Sequence, residues 1–220
     1  MRITIDGPAG SGKSTVAKEL SKRLGIPYLN TGLVYRAFAY VSLLENLEDI
    51  LQVFEKPLEV RIGISSTEIF YKGENISQEL ISEMVGEKAS QIARLPAFRE
   101  RINQFFRDLV GNKQVVAEGR DTGTHIFPQA KLKIFLTASA EERARRRYNQ
   151  LKAEGISANY EDILKAIVER DERDKNRPKY PFRPAEDAII IDTTGLNIEE
   201  VVEKVLSLIR AKGGCVKTQI

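Results

Sequence analysis

The sequence has few of the residues that build disulfide frameworks or histidine–cysteine metal sites. Its 220 residues include one cysteine, Cys215, and one histidine, His125. A single cysteine excludes a disulfide within the chain, and one histidine with one cysteine leaves a His/Cys zinc site short of ligands. The sequence therefore predicts a fold held by its own hydrophobic core, as one domain with an insertion or at most two domains.

Long hydrophobic runs and an excess of charge of one sign are also missing. No apolar stretch approaches the roughly 18 residues that cross a bilayer. A strand-like segment starts at Arg2, and we therefore expect no cleavable targeting peptide. The 34 Lys and Arg against 31 Asp and Glu give a net charge of +3, too even for a general nucleic-acid binder. We expect a cytoplasmic protein whose partners include neither a membrane nor a nucleic acid.

Short apolar strands alternate with helical patterns along most of the chain. Residues 2–6 form the first candidate strand, and the helix that follows runs from Lys13 to Leu24, where Gly25 ends it. The other candidate strands are 114–118, 132–136 and 188–192, and the other helical patterns are 32–45, 85–109 with an interruption near Pro96, 139–155, 160–176 and 197–212. This alternation predicts a parallel α/β sheet. Residues 57–83 alternate with period two instead and predict a small antiparallel insertion, with a further turn over 72–75.

A glycine-rich motif, G-x-x-x-x-G-K-[ST], lies between the first strand and the first helix. Its glycines let backbone N–H groups converge on phosphate oxygens, and the helix N-terminus adds partial positive charge. We expect Lys13 to reach the β- and γ-phosphates and the Ser14 hydroxyl to coordinate Mg²⁺. The motif predicts a nucleoside triphosphate site made by Gly7, Pro8, Ala9, Gly10, Ser11, Gly12, Lys13, Ser14 and Thr15. It leaves open which group accepts the γ-phosphoryl.

Three further motifs resemble those of the cytidylate (CMP) kinases, in their longer bacterial form. Residues 30–36, Asn-Thr-Gly-Leu-Val-Tyr-Arg, resemble the family's Asp-[Ser/Thr]-Gly-x-x-Tyr-Arg segment. Residues 119–124, Gly-Arg-Asp-Thr-Gly-Thr, resemble its Asp-Gly-Arg-Asp-x-Gly-Thr. Residues 169–177, Glu-Arg-Asp-Glu-Arg-Asp-Lys-Asn-Arg, resemble its Glu-Arg-Asp-x-Arg-Asp-x-x-Arg helix. The likeness extends over nearly the whole chain, from Ile3 to about Arg210.

The resemblance implies a fold, a division into domains and a reaction. The fold is a P-loop kinase: a five-stranded parallel sheet flanked by helices, an inserted β-containing domain for the nucleoside monophosphate, and a helical lid. The implied domains are a core of residues 1–31, 112–138 and 186–212, a monophosphate-binding region at 32–111 with its β-rich insertion at about 57–83, a lid with the following helix at 139–185, and a flexible tail at 213–220. The implied reaction moves the γ-phosphoryl of ATP, with Mg²⁺, to CMP or dCMP in pyrimidine metabolism. We expect a monomer.

An acceptor that carries its own phosphate needs a second set of cations, because two phosphorylated ligands repel each other. By resemblance, Arg36 and Arg120 clamp the α-phosphate of the acceptor, a task that suits the bidentate guanidinium group. The resemblance places four further residues against the acceptor's nucleoside and sugar: Thr31, Tyr35, Arg170 and Asp174.

The choice of base is assigned by resemblance to Asp121, together with Ser90, Arg99 and Arg177. A carboxylate accepts from the exocyclic N4 amine of cytosine, whereas it meets the carbonyl of uracil with like polarity. A site built on buried hydrogen bonds can reject an analogue that lacks the partner by roughly 10⁴-fold.

An arginine-rich helix follows Ser139. Arg143, Arg146 and Arg147 share one helix face at i, i+3 and i+4, with Arg145 beside them. We expect a mobile lid whose guanidiniums stabilise the transferring phosphoryl group, without a choice among the three arginines. The alternative is a solvated basic face or a nucleic-acid patch.

Two positions depart from the family pattern, and His125 belongs to none of the proposed half-sites. Asn30 replaces the usual Asp and removes a charge near the phosphates. Glu118 stands where the family has the first Asp of its Asp-Gly-Arg-Asp motif, as a longer carboxylate that could hold a Mg²⁺-bound water. His125 is expected to be a packing residue.

Two other functions stay open at this stage. One is a P-loop kinase for UMP or for a small metabolite such as shikimate. The other is a non-enzymatic, ATP-responsive or nucleic-acid-binding protein that uses the helix containing Arg143 and Arg147. An ATP-dependent assay with a panel of nucleoside monophosphates separates both from the CMP kinase.

Overall fold

The described part of the chain contains two β-sheets and seven α-helices in a computed structural model that covers residues 1–176, 180 and 182–212. The strands are β1 (Arg2–Asp6), β2 (Tyr28–Asn30), β3 (Leu58–Gly63), β4 (Ser66–Tyr71), β5 (Glu74–Asn75), β6 (Val115–Gly119), β7 (Leu132–Thr137) and β8 (Ile189–Asp192). The helices are α1 (Lys13–Leu24), α2 (Thr31–Leu44), α3 (Glu83–Ile92), α4 (Pro96–Val110), α5 (Ala140–Ala153), α6 (Tyr160–Lys175) and α7 (Ile198–Ala211).

The larger sheet has five strands in the order β2-β6-β1-β7-β8, all of them parallel. This confirms the predicted five-stranded parallel sheet. Successive residues of a strand point to opposite faces, so that Val115 and Ala117 of β6 join one hydrophobic cluster while Val116 joins the other. Helices α1 and α7 pack on the face that contains Val116, and α2 and α4 pack on the opposite face.

The helix boundaries follow the capping residues. Helix α1 has the predicted limits, because Gly12 and Gly25 at its two ends adopt the left-handed backbone that favours glycine. Helix α2 begins one residue before the predicted start, because the Asn30 side chain accepts a hydrogen bond from the Leu33 N–H at 2.9 Å. The helical pattern over 85–109 forms two helices, and Pro96 lies in the first turn of the second.

The smaller sheet, in the order β3-β4-β5, is the predicted antiparallel insertion. The prediction of a turn over 72–75 was wrong in its second half, since residues 74–75 pair with β4 as a short strand. Thr67 connects this sheet to the edge of the larger one: its hydroxyl accepts from the Asn30 N–H at 2.9 Å and donates to the Tyr28 carbonyl at 2.8 Å. Two sequence predictions, the base contact of Arg177 and the flexible tail at 213–220, lie outside the described residues.

Candidate active site

The carboxyl ends of three neighbouring parallel strands define one edge of the larger sheet. Strand β1 ends at the glycine-rich turn, β2 ends at Asn30, and β6 lies between them and ends before Arg120 and Asp121. Ligand sites in open parallel sheets lie outside the carboxyl ends of the strands. This order brings motifs that are about 90 residues apart in the sequence into one place.

The glycine-rich turn forms a cradle at the N-terminus of α1. Gly10 and Gly12 have φ values of 78° and 89°, which favour glycine. A Cβ atom on Gly10 would lie 3.0 Å from the Cβ of Arg143, so this turn and α5 approach closely. No side chain among the described residues caps α1, and its first N–H groups are oriented as in an anion site.

Lys13 and Ser14 follow the cradle at the start of α1. The Lys13 ammonium donates to the Pro8 carbonyl at 2.7 Å. Burial lowers the pKa of Lys13 to about 8, although the nearby carboxylate of Glu118 opposes this shift. The Ser14 hydroxyl donates to Glu118 Oε1 at 2.7 Å, and the Tyr28 hydroxyl donates to the same oxygen at 3.1 Å. Glu118 is therefore held at the cradle from two sides.

Ser14 and Glu118 have the donor chemistry that suits Mg²⁺. Both offer oxygen, and Mg²⁺ in phosphoryl-transfer sites is held by one or two such protein groups together with the phosphates of the substrate. The Glu118 side chain is longer than the Asp of the family motif. It extends from β6 to the Ser14 hydroxyl at the start of α1. These two residues fit the ion that the resemblance implies.

A cavity of about 560 Å³ extends from the cradle to the predicted acceptor residues. Its wall includes Ala9, Gly10, Lys13 and Ser14 at the phosphate end. Nine of the ten predicted acceptor residues line the same cavity: Thr31, Tyr35, Arg36, Ser90, Arg99, Arg120, Asp121, Arg170 and Asp174. Arg147 of the arginine-rich helix lines it as well. The structure therefore brings the two predicted half-sites together in one space.

Two guanidiniums of the acceptor end are positioned by different partners. Arg36 donates to the backbone carbonyls of Leu80 at 2.8 Å and Ser82 at 3.1 Å. Arg120 forms an ion pair with Asp174, whose side chain is 5% exposed. Burial and then the charges of Arg170 and Arg147 lower the pKa of Arg36, because these cations lie close together. This concentration of positive charge favours an anionic ligand.

The remaining part of the acceptor end contains a buried ion pair between Arg99 and Asp121. Arg99 also donates to the Ala93 carbonyl at 3.1 Å. Ser90 lies half-buried on α3 at the same end of the cavity. The Asp121 carboxylate can accept hydrogen bonds and the Arg99 guanidinium can donate them, which are the two kinds of contact that the edge of a base can make.

The three arginines of α5 have separate positions in spite of their shared helix face. Arg143 is buried and donates to the Ala138 carbonyl at 3.0 Å, to the Ala9 carbonyl at 3.3 Å and to Asp171 at 2.6 Å. Arg146 donates to Glu142 and Thr193. Only Arg147 of the three lines the cavity, so Arg143 and Arg146 are not brought to it.

Two buried or half-buried carboxylates at the site were not among the predicted residues. Asp6 accepts from the Thr122 and Gly123 N–H groups at 2.8 and 2.7 Å and holds the π-helical turn that follows Asp121. Burial raises the pKa of Asp6. Asp171 is the partner of Arg143. Asp6 is a charged residue at the end of a buried strand, and this position could have identified it as a site residue. No feature of the sequence distinguishes Asp171 from the other charged residues of α6.

Two features are absent from the described residues. No described helix is both long enough and apolar enough to cross a membrane. Within the same residues, no three side chains of His, Cys, Asp or Glu gather as a metal site.

Comparisons with known proteins agree with the motifs. The family model described as cytidylate kinase matches residues 3–211. A cytidylate kinase from Aquifex aeolicus is 55% identical over 96% of this chain and 97% of its own, and one from Carboxydothermus hydrogenoformans is 44% identical over 96% and 98%. An uncharacterized protein from Eubacterium ventriosum shares the fold, with a TM-score of 0.56 at 14% identity over 96% of this chain and 99% of that one. The chain belongs to the cytidylate kinase family.

Proposed function

We propose that this protein transfers the γ-phosphoryl group of ATP to CMP or dCMP and forms CDP or dCDP and ADP. The observation that carries the proposal is the single cavity whose one end is the cradle with Lys13 and whose other end contains Arg36, Arg120 and the Arg99–Asp121 pair. This cavity of about 560 Å³ joins both ends, so two nucleotides could meet in it with their phosphates end to end.

The donor end holds the triphosphate and stabilises the charge that develops during transfer. The N–H groups of the cradle bind phosphate oxygens, and Lys13 neutralises charge on the β- and γ-phosphates. Ser14 and Glu118 would hold Mg²⁺, which, when bound, would offset part of the negative charge of the triphosphate. Arg143 donates hydrogen bonds to the Ala9 carbonyl and to Asp171 of α6, and it thereby positions the cradle.

The acceptor end aligns an anion that needs no general base. A phosphate monoester is already ionised near pH 7, so the protein has only to position it and to offset its charge. Arg36 and Arg120 bind the α-phosphate, and Arg147, which also lines the cavity, meets the transferring group. Asp121 accepts from the N4 amine of the base.

Residues of this chain supply both the donor and the acceptor end of the cavity, so the proposed reaction needs no residue from a second subunit, and we propose a monomeric enzyme. Residues 32–111 and 139–185 form the acceptor domain and the lid, and they close to exclude water from the activated phosphoryl group. With these substrates the reaction belongs to cytoplasmic pyrimidine nucleotide metabolism.

Initial rates with ATP and each of CMP, dCMP, UMP, AMP, GMP and shikimate test this proposal. We expect CMP or dCMP to have the highest kcat/KM, with UMP lower because its O4 faces Asp121 with like polarity. A higher kcat/KM for UMP or shikimate would contradict the assigned acceptor. Binding to oligonucleotides without phosphoryl transfer would contradict the enzyme itself.

Binding of ATP should take up a proton in alkaline solution. The pKa of Lys13 is lowered to about 8 in the free protein, and the bound triphosphate restores the charged form, so Lys13 must gain a proton above that pH. Calorimetry in buffers of different ionisation enthalpy should give an uptake of about 0.5–1 proton at about pH 9 and none near pH 7. The Lys13→Met variant should show no uptake at either pH. Equal uptake in the variant would contradict the shift at Lys13.

Loss of the charge at Asp171 should weaken the donor site selectively. Asp171→Asn leaves the buried Arg143 without its counter-ion, and Arg143 also contacts the Ala9 carbonyl. We expect the KM for ATP to rise about five- to tenfold while the KM for CMP stays within about twofold, on the scale of a charge-assisted hydrogen bond. Glu172→Gln, an exposed neighbour on α6, is the control. An equal rise in both KM values would show that α6 as a whole had moved.

A further inference from the structure

The only histidine of the sequence lies beside the base-reading carboxylate. His125 is half-buried in the π-helical turn Thr122–Ile126. Its Nδ1 lies 3.3 Å from Asp121 Oδ2 and 2.8 Å from the Thr124 hydroxyl. The imidazole therefore contacts the same carboxylate oxygen that pairs with Arg99.

The hydrogen bonds of the turn fix which ring nitrogen of His125 carries a proton. The Thr124 hydroxyl has one hydrogen, and it donates this hydrogen to the Asp121 carbonyl at 3.1 Å. With that hydrogen directed to the carbonyl, the 2.8 Å contact between Thr124 Oγ1 and His125 Nδ1 favours Nδ1 as its donor. Neutral His125 thus carries its proton on Nδ1 and directs it toward two acceptors, the Thr124 hydroxyl and the Asp121 carboxylate.

The surroundings of His125 favour its neutral form. Tyr180 contacts the imidazole edge-on, with ring centroids 4.7 Å apart, and the Arg99 guanidinium lies 4.5 Å from the centre of the Tyr180 ring. Burial, followed by the charges of Arg99 and Arg183, lowers the pKa of His125, and the carboxylate of Asp6 opposes this. The titratable and charged groups that face His125 are Asp6, Arg99, Asp121, Tyr180 and Arg183, with Arg107 donating to the His125 carbonyl.

We propose that His125 is a positioning residue that helps to determine base specificity: its Nδ1–H and Arg99 anchor Oδ2 of Asp121, which leaves Oδ1 to accept the amine of an aminopyrimidine. The proposal rests on the proposed function, in which Asp121 reads the base. A side chain held by two donors loses less conformational freedom when the base binds than one held by a single donor.

A pH dependence of selectivity follows from this arrangement. Protonation adds a second positive charge beside Arg99 and weakens Asp121 as an acceptor for the amine of the base. Because the pKa of His125 is lowered from its ordinary value, the neutral form predominates at and above pH 7. The ratio of kcat/KM for CMP to that for UMP should therefore be highest at and above pH 7. It should decline as the pH falls through the pKa of His125.

The test compares kcat/KM for CMP and for UMP in the full-length enzyme and its variants at about pH 7.5. His125→Ala removes the donor, whereas His125→Asn places an amide N–H near the position of Nδ1. We expect His125→Ala to lower the CMP-to-UMP ratio about fivefold, the effect of one hydrogen bond, and His125→Asn to restore at least half of the loss on a logarithmic scale. Asp121→Asn marks the full loss of the carboxylate, and thermal unfolding verifies that each variant is folded.

The wild-type enzyme gives a second readout. The single histidine yields one set of imidazole NMR signals, whose titration should shift when CMP is added and not when ADP alone is added. The CMP-to-UMP ratio should follow the same titration, because the ionisation of the phosphate near about pH 6 is common to both acceptors and cancels.

Three outcomes would overturn the proposal. The first is an unchanged CMP-to-UMP ratio in His125→Ala, and the second is a loss in His125→Asn as large as that in His125→Ala. The third is a wild-type ratio that does not follow the titration of His125. In each case the wild-type enzyme would still phosphorylate CMP. Absence of CMP phosphorylation in the wild-type enzyme would contradict the proposed function and this inference together, so the two failures are distinguishable.

Discussion

Replacing Lys13 with methionine should lower the turnover number by at least about 10³-fold, the scale of losing a principal charge contact in the transition state. Lys13 lies at the cradle, where its ammonium donates to the Pro8 carbonyl at 2.7 Å. Methionine has a similar length and no charge, so it keeps the packing and removes the electrostatic contribution. Steady-state turnover at saturating ATP and CMP measures the effect.

The free energy of unfolding should not fall in Lys13→Met. Burial disfavours the charged form of Lys13, as its lowered pKa indicates, and an apolar replacement removes that cost. Lys22→Met, an exposed lysine of the same helix, is the matched control and should retain full turnover. A Lys13→Met enzyme within about tenfold of the wild-type rate would remove Lys13 from its assigned role.

Replacing Arg120 with alanine should lower kcat/KM for CMP by about 10³-fold while the KM for ATP changes less than about threefold. Two effects add. The acceptor phosphate loses a bidentate cation, and the positive charge of Arg120 no longer offsets the nearby buried carboxylate of Asp174. Varying CMP and ATP separately distinguishes the acceptor effect from a general loss of structure.

Arg120→Lys is the informative second variant at this position. It keeps the charge but loses the planar fork of donors, so its kcat/KM for CMP should lie between those of the wild type and Arg120→Ala. Arg101→Ala, an exposed arginine of α4 that packs on Phe54, should have no effect on either substrate. If Arg120→Ala raised the KM for ATP as much as that for CMP, Arg120 could not belong to a separate acceptor pocket.

Much of the fold could be predicted from local sequence signals. Gly25 marked the end of α1 and Pro96 the break between α3 and α4, because each residue restricts the backbone wherever it occurs. Runs of apolar residues marked four of the five strands of the parallel sheet, whereas the three-residue edge strand β2 was not predicted. The start of α2 and the short strand β5 were missed, since a capping hydrogen bond and a two-residue pairing depend on neighbours in three dimensions.

The candidate site was predicted in composition and only partly in geometry. The motifs gave most of the polar and charged residues that line the cavity, but the helical spacing of Arg143, Arg146 and Arg147 could not tell which guanidinium faces it. That choice depends on the Ala9 carbonyl and on Asp171, which lie on other elements and bury Arg143. Likewise, the carbonyls that hold Arg36 come from a turn about 45 residues farther along the chain, and no local pattern records such a contact.

A crystal structure with CMP and a non-hydrolysable ATP analogue bound together would test most directly whether the protein holds two anions in two separate cationic pockets. We expect the triphosphate on the main-chain amides of the cradle beside Lys13, and the phosphate of CMP between Arg36 and Arg120 with its cytosine against Asp121. A monophosphate bound away from Arg36 and Arg120, or both nucleotides competing for the cradle, would contradict the proposed arrangement.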